Sequence, residues 1–535
     1  MLSHLTVLEQ SASRYHSYPA FKILAPASTS NSPSWISITY QQFKDDVELF
    51  ARHWARVLKR DNIPQRSIIG LWIGGFAYAD ALHIYGLSRA GYIPQLFSLR
   101  LPNPDVILEL LSKSNARALV YDANSESIVG RSSIPLYPAT SLSDLVVDDE
   151  PLPPMPSVQP EDLAFLFHTS GSTSGSPKLV PCSYRWLDSV VRKSNQTCLP
   201  VNLDPNAREV TTWLGSMCHI GQTFMLIGTL QHGASIVQPT KMPFSSQELM
   251  DMIHLTGLNR LYQFAAFLSV HLRASRKDPK LLSMLAGLDQ ILTCGMPLSR
   301  EDEQWAIRNN LRLVNLFGST EAGGATLLSS YECGSNPSLL FPLKGVSYRF
   351  EPIQPSAADE DLHQSTGRLL EFVILADSAD CPDVSLRHAD GNFHTGDLFQ
   401  EVSPGCYVFC GRDDDWIKSE NSLRCDTRSI EENVRSTCGN LVSECIVVGT
   451  GRPCPAMFIE PAVEMDENKL KKEILRKIRP FHSRRYMHER IASVDMIIIV
   501  PRGSLPRTAS KGNIRRKAVE DEYKARLDVI YGVSA

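Results

Sequence analysis

The run Phe167–Pro181, FHTSGSTSGSPKLVP, constrains this chain more than any other stretch of it. It follows an apolar segment, Leu163–Phe167 (LAFLF), whose composition predicts a buried strand. It precedes Tyr184–Val191 (YRWLDSVV), whose periodicity predicts an amphipathic helix with Ser183 as its N-cap. A strand, a Gly/Ser/Thr loop and a helix in that order make a phosphate-binding arrangement. Gly171 and Gly175 let the backbone turn and come close to a ligand, so that its N–H groups face oxyanions. The hydroxyls of Ser170, Ser172 and Thr173 add donors, and Lys178 adds a positive charge. No Gly-Lys-Ser/Thr closes the run, so it is not a Walker loop. By composition alone it also fits a surface linker.

At 535 residues the chain exceeds one compact core, and two or more domains are expected. A net charge of −4 argues against a nucleic-acid footprint. The basic stretch RRKAVEDEYKAR is interleaved with acids and reads as a solvated helix face. No apolar run is long enough for a membrane span, and MLSHLTVLEQ lacks the form of a secretory signal. Twelve cysteines without C-x-x-C spacing suit a reduced, cytoplasmic enzyme better than a disulfide framework, and no structural metal is expected.

Helical and strand patterns alternate through the first half. Tyr40–Leu58 and Tyr78–Ala90 read as helices, and Arg66–Gly75 and Ala118–Asp122 as strands. That alternation predicts an α/β architecture with largely parallel sheets. The acidic, Pro-rich segment Asp144–Asp162 reads as a surface connection. After about Leu343 the pattern becomes more purely β, with GRLLEFVIL, FHTGDLFQEV and CYVFCGR as strands. From Asp413 onward a small α+β unit is expected: a helix at Ser429–Ser436, two strands (SECIVVG, PAMFIE), a charged helix at Asp466–Ile478, a strand (DMIIIVP) and a last helix from about Asn513. The junction GRDDDWIK is the best boundary, giving domains 1–410 and 411–535.

Four further motifs follow the loop. LRLVNLFGSTEAGG (Leu311–Gly324) runs a strand into a Gly-rich turn bearing Thr320 and Glu321. A carboxylate beside a hydroxyl, opposite a phosphate loop, suits Mg²⁺ and a phosphate oxygen; a turn with a helix-start acid is the alternative. DGNFHTGDLF puts Asp397 after a turn, where a carboxylate can accept both hydroxyls of a ribose. GRDDDWIK supplies Arg412, and LPRTASKGNIRRK puts Lys511 in a glycine-bearing loop before a cationic helix.

Together with TCGMPLSRE (Thr293–Glu301), these motifs resemble the adenylate-forming superfamily of acyl- and aryl-CoA ligases, luciferases and peptide-synthetase adenylation domains, in order across nearly the whole chain. The resemblance implies a large N-terminal domain of parallel-rich sheets plus a β-rich subdomain, and a small mobile C-terminal domain. It implies that a carboxylate attacks the α-phosphate of ATP to give acyl-AMP and pyrophosphate, after which a thiol takes the acyl group. Carried over, the loop Thr169–Lys178 holds the β/γ-phosphates, and Phe317, where the family often has Tyr, lies against the adenine beside Gly318. Thr320 and Glu321 serve phosphate and Mg²⁺, Asp397 and Arg412 bind the ribose, Asp414 is the hinge, Lys511 is the adenylation lysine, and Lys418 matches a position linked with thiol transfer. The chain departs from the pattern in three places. The loop has one residue more, most simply Ser174. The usual Gly-Lys order is reversed at Lys511–Gly512, with Arg515 or Lys517 as alternatives. The segment SENSLRCD lacks the glycine usual near the thiol tunnel.

Peptide-synthetase adenylation domains carry an Asp for the substrate ammonium in the segment equivalent to Trp213–Gly221. Here it reads WLGSMCHIG, without an acid, and a buried ammonium lacking a counter-charge is costly. A carboxylic acid without an α-amino group is therefore expected. His219 and Gly295 fall at acyl-pocket positions, and Tyr262, Phe264 and Phe267 read either as an apolar or aromatic pocket wall or as helix packing. A free-standing ligase using coenzyme A is the expected activity. The alternatives are an enzyme loading the phosphopantetheine of a separate carrier protein and a non-catalytic nucleotide-binding protein. The loop and junction motifs also look closer to fungal secondary metabolism than to housekeeping synthetases.

Overall fold

Short runs of β-branched and aromatic residues separated by glycine-bearing turns build the sheets, and the sides on which their residues alternate fix the layers. In the computed structural model the described residues are 1–25, 33–101, 103–122, 128, 130–145, 151–169, 177–202, 207–329, 336–353, 369–413, 416–418, 424–483, 489–507 and 514–532. Among them, six strands form one sheet in the order Leu136–Pro138, Ala118–Tyr121, Ile68–Ile73, Ile93–Ser98, Leu163–Thr169 and Lys178–Ser183. Each neighbouring pair is parallel except the last. The helices Tyr78–Arg89 and Pro104–Lys113 make the crossovers. Within Ile68–Ile73, Ile69, Leu71 and Ile73 face one core, while Trp72 faces a second with Phe97 and Leu119.

Thirteen described strands form the larger sheet. Its parallel part includes Pro19–Leu24, Ser235–Val237, Val210–Thr212, Arg260–Phe264, Gln290–Cys294 and Leu313–Ser319. From Gly324–Ser329 the pairing turns antiparallel and continues through Leu340–Pro342, Cys406–Arg412, Phe393–Ser403, Leu369–Ile374 and Tyr348–Pro352. The β-rich region thus starts at the hairpin after Ser319, ahead of the Leu343 expected from the pattern. Helices His4–Tyr15, Tyr40–Arg60, Tyr78–Arg89, Tyr184–Thr197 and Ile220–Gln231 fill the space between the two sheets, and a single core joins Ile69 and Leu71 to Phe21, Tyr262 and Leu292. Helices Ser246–Thr256, Ala265–Ser275, Pro279–Gly287 and Arg300–Arg308 cover the outer face of the larger sheet.

A separate three-stranded sheet follows: Val442–Val448, Ala456–Pro461 and Ile497–Ile499. Cys445, Val447, Met457 and Ile459 face the helices Thr427–Cys438 and Glu467–His482. Ile446, Val448, Phe458 and Ile498 face Val519 and Leu527. The last helical segment starts at Arg516, not near Asn513, because Ile514 bridges Arg507 and the Arg515 N–H donates to the Pro506 carbonyl. Gly411, the expected start of the second domain, lies within the strand Cys406–Arg412.

The guanidinium of Arg260, fully buried in the large sheet, donates to Glu209 Oε2 at 2.5 Å, to Gln290 Oε1 at 2.6 Å and to the Leu199 carbonyl at 3.1 Å. Glu209→Leu leaves that charge without its counter-ion and should lower the unfolding free energy by about 3–5 kcal/mol in urea titrations. A loss below about 1 kcal/mol would mean that Gln290 and the carbonyls suffice for Arg260.

Candidate active site

The phosphate-loop candidate is the connection of a β-hairpin. Thr169 pairs with Lys178 across the strands Leu163–Thr169 and Lys178–Ser183, with the loop between them. The helix capped by Ser183 does form, over Tyr184–Thr197, and the Ser183 hydroxyl accepts from the Trp186 N–H at 3.2 Å. An intervening strand, with Val180 and Cys182 buried on one side, carries the chain away first. The helix therefore starts at the far end of the hairpin and does not point its N-terminus at the loop. Ser170, Gly171, Ser172, Thr173 and Gly175, with Asp414 and Lys511, lie outside the described residues, as does the side chain of Lys418. At the hairpin root, His168 stacks on Phe97 at 4.3 Å, donates from Nδ1 to the Leu96 carbonyl at 2.8 Å and accepts from the Gln95 amide at 3.2 Å. Burial pulls its pKa down to about 4, and the nearby His219 contributes to the same shift.

Thr320 and Glu321 sit in the tight turn joining Leu313–Ser319 to Gly324–Ser329, so the helix-start reading of Glu321 does not hold. Gly323 and Gly324 have φ of +72° and +93°. A Cβ at Gly323 would lie 2.8 Å from Val190 Cγ2, and one at Gly324 would lie 2.6 Å from the Phe224 ring. Glycine is required here by both sterics and backbone angle. Two donors on the helix Tyr184–Thr197 grip the turn: Trp186 Nε1 donates to the Glu321 carbonyl at 3.1 Å, and Lys193 Nζ to the Ala322 carbonyl at 2.5 Å. The Glu321 carboxylate, half-buried, makes no hydrogen bond or ion pair among the described residues. One unengaged carboxylate beside a hydroxyl fits Mg²⁺, which keeps several waters and usually takes one or two carboxylates together with phosphate oxygens.

Asp397 and Arg412 are cross-strand partners, and Arg412 Nη1 donates to Asp397 Oδ1 at 3.2 Å. A register shift between Asp397 and Phe399, with Gly411 at φ +96°, aims Arg412 back at the carboxylate. Thr395 Oγ1 accepts from the Asp397 N–H at 3.0 Å and donates to the Phe372 carbonyl at 2.8 Å, which fixes the approach. Phe317 packs at 5.1 Å against both Phe399 and Phe409 on the same two strands. Gly318 beside it has no room for a side chain, since a Cβ would lie 1.9 Å from the Gly324 carbonyl oxygen. An aromatic ring from one strand thus packs against the strand pair that carries an oriented carboxylate and a guanidinium, a set of groups suited to a base and a ribose.

On the acyl side the structure brings Phe264 and Gly295 together. The Phe264 ring fills the gap between Gly215 and Gly295, where added Cβ atoms would approach it to 2.9 and 3.1 Å. Phe267 packs edge-on to it at 6.2 Å. His219 begins the helix Ile220–Gln231 and is exposed. Tyr262 is not a wall residue: it lies two residues before Phe264 on the same face of the strand but is fully buried in the core between the sheets. In the last motif, Arg507 and Ile514 bridge the base of the segment holding Lys511, and Arg507 Nη2 donates to Glu460 Oε2 at 2.8 Å. Arg516 is committed to Glu431 at 2.7 Å.

The residues missed from sequence are Trp186, Lys193 and Asp380. The available signal was a lysine in the buried stripe Trp186–Val190–Lys193–Thr197 of an amphipathic helix. A cavity of about 280 Å³, lined by Leu163, Pro181, Ser183, Arg185 and Arg387 among others, lies at the opposite end of the hairpin from the loop and is not the candidate site.

A family model described as AMP-binding enzyme matches residues 8–350, and a second, AMP-binding enzyme C-terminal domain, matches 414–534. The AMP-binding domain-containing enzyme iboA of Amanita muscaria (strain Koide BX008) is 35% identical over 520 residues, covering 95% of this chain and 98% of the relative. The adenylate-forming reductase Nps10 of Heterobasidion annosum is 22% identical over 89% of this chain, which spans 45% of that protein's length. Among solved structures, the o-succinylbenzoate CoA synthetase of Bacillus subtilis in complex with its acyl-adenylate intermediate superposes with a TM-score of 0.73 at 15% identity, covering 96% of this chain and 98% of the other.

The hairpin root gives a pH dependence. Above its ordinary pKa of 6.5, His168 is neutral in the folded and the unfolded chain. As pH falls from there towards about 4, the unfolded chain binds the proton first, so the folded state loses stability across that window, by up to about 1.4 kcal/mol per pH unit. His168→Gln removes this titration, and its melting temperature should differ less between about pH 7.5 and about pH 4.5 than that of the parent. An unchanged difference would mean that His168 is not held neutral.

Proposed function

The chain belongs to the AMP-binding enzyme family, and on that premise we propose that it activates a carboxylic acid lacking an α-amino group, aryl or fatty, as its acyl-adenylate and passes the acyl group to coenzyme A. The observation that carries this reading is the packing of Phe317, just before the Thr320–Glu321 turn, against the strand pair that carries Asp397 and Arg412. When bound, ATP supplies the phosphorus that the substrate carboxylate attacks, and Mg²⁺ shares the phosphate charge. Phe317 and Gly318 receive the adenine, and Asp397, held by Arg412 and Thr395, accepts the ribose hydroxyls. Glu321 presents its carboxylate to the metal and Thr320 its hydroxyl to a phosphate, while Thr169–Lys178 surrounds the outer phosphates. Lys511 stabilises the charge that develops on the attacking and leaving oxygens.

The acid stands against His219, Phe264 and Gly295. Trp213–Gly221 carries no acid. A substrate ammonium would thus find no counter-charge there. Residues 411–535 form the small domain that swings about Asp414 between half-reactions, with Lys418 serving the second. Transfer to a carrier-protein phosphopantetheine is the second reading, favoured by SENSLRCD, which lacks a glycine.

ATP–pyrophosphate exchange against aryl, medium-chain, long-chain and amino acids, with and without coenzyme A, tests this. Exchange with an aryl or fatty acid, and a thioester formed only when coenzyme A is present, is the expected result. Exchange without thioester selects the carrier reading, and silence with every acid removes both. Lys511→Ala should abolish exchange and leave ATP binding largely intact; unchanged exchange would point to Arg515 or Lys517. Asp414→Pro should slow thioester formation more than exchange, and equal losses would remove the hinge assignment.

A further inference from the structure

The helix Tyr184–Thr197 carries a lysine where its stripe should be apolar. Lys193 is 1% exposed, and Asp380, its partner at 2.8 Å, is 0% exposed. Burying both charges costs several kcal/mol of hydration, and an apolar pair of like volume commonly packs as stably or better. The pair therefore does something that packing alone does not, and its contacts indicate what. Lys193 Nζ donates to the Ala322 carbonyl, one residue after Glu321, and Trp186 on the same helix face holds the Glu321 carbonyl. Gly323 and Gly324, whose backbones are free of side-chain restraint, bring the turn close enough for both donors. Asp380 comes from the connection between Leu369–Ile374 and the strand of Asp397, and accepts from Ser378 Oγ at 2.5 Å and from the Tyr348 hydroxyl.

We propose that Lys193 is a positioning residue for the metal turn: its ammonium, fixed by Asp380, sets where Glu321 presents its carboxylate to Mg²⁺-bound ATP. The proposal rests on the adenylating reading for the identity of that nucleotide.

The test is calorimetric titration of ATP into the full chain over a Mg²⁺ series and in EDTA, with thermal melts. Lys193→Met/Asp380→Asn removes both charges at similar volume. Its melting temperature should stay near that of the parent, its ATP affinity in EDTA should be unchanged, and the Mg²⁺ needed for half-maximal tightening should rise about tenfold. An unchanged Mg²⁺ dependence overturns the proposal, as does an equal loss of affinity with and without Mg²⁺, which marks a merely structural role. If the double variant does not fold, Trp186→Phe decides, since it removes the indole donor and leaves Lys193 and Asp380 in place. A rise of the Mg²⁺ requirement by a few-fold supports turn positioning, and no rise overturns it. A parent that tightens on ATP with Mg²⁺ yet exchanges pyrophosphate with no acid refutes the adenylating reading and leaves the positioning result standing. A parent that binds no ATP removes both.

Discussion

The buried contact between Lys193 and Asp380 joins segments that are remote in sequence. Burial lowers the pKa of the lysine while the aspartate raises it, and burial with the same aspartate raises the pKa of Tyr348 well above its ordinary value. The phenol therefore stays neutral and donates, and a single negative charge on Asp380 is shared among a lysine, a tyrosine and a serine. In a low-dielectric interior such a network has few alternative arrangements, because any unpaired member is expensive. That restriction of choice aligns the helix after the hairpin, the turn at the strand end and the antiparallel strands beyond it.

The rest of the site follows from where strands end. Phe264, Gly295, Phe317 and Thr169 stand at or just past the carboxyl ends of strands that run parallel to a neighbour. Chain leaving a parallel sheet there must turn into a crossover or a hairpin, and its polar groups converge. Glycine allows the convergence to be tight: at Gly318 another backbone passes where a side chain would be, and at Gly411 a bulge turns a strand that would otherwise point Arg412 elsewhere.

Much of this was legible in sequence for specific reasons. The strands at Ile68–Ile73 and Ala118–Tyr121 are continuous apolar runs because both of their faces are buried, and runs of that kind are hard to misread. Motif order singled out Asp397 and Arg412 separately; that they stand opposite each other comes from the register of two strands, which no motif encodes. The hairpin after the phosphate loop was missed because Lys178–Ser183 is short, with a proline inside, and runs directly into its helix. Tyr262 was misjudged because it shares a face of its strand with Phe264, and only Phe264, at the strand's end, reaches past the buried core to the gap between Gly215 and Gly295. The buried stripe of its helix marked Lys193 as unusual, but its partner lies 187 positions away, and no local pattern encodes such a distance.

The acyl side is governed by a different constraint from the nucleotide side. Where the proposed reading puts the nucleotide, polar groups fix the backbone before any ligand arrives: Thr395 at the Asp397 N–H, Trp186 and Lys193 at the carbonyls of Glu321 and Ala322. Around Phe264 the order is steric, because the ring fits only while Gly215 and Gly295 lack side chains. An aromatic face held between two glycines would select by shape and width. On the proposed reading, chemistry common to all acids is thus assigned to a rigid polar frame, and the choice among acids to a ring whose position two glycines set.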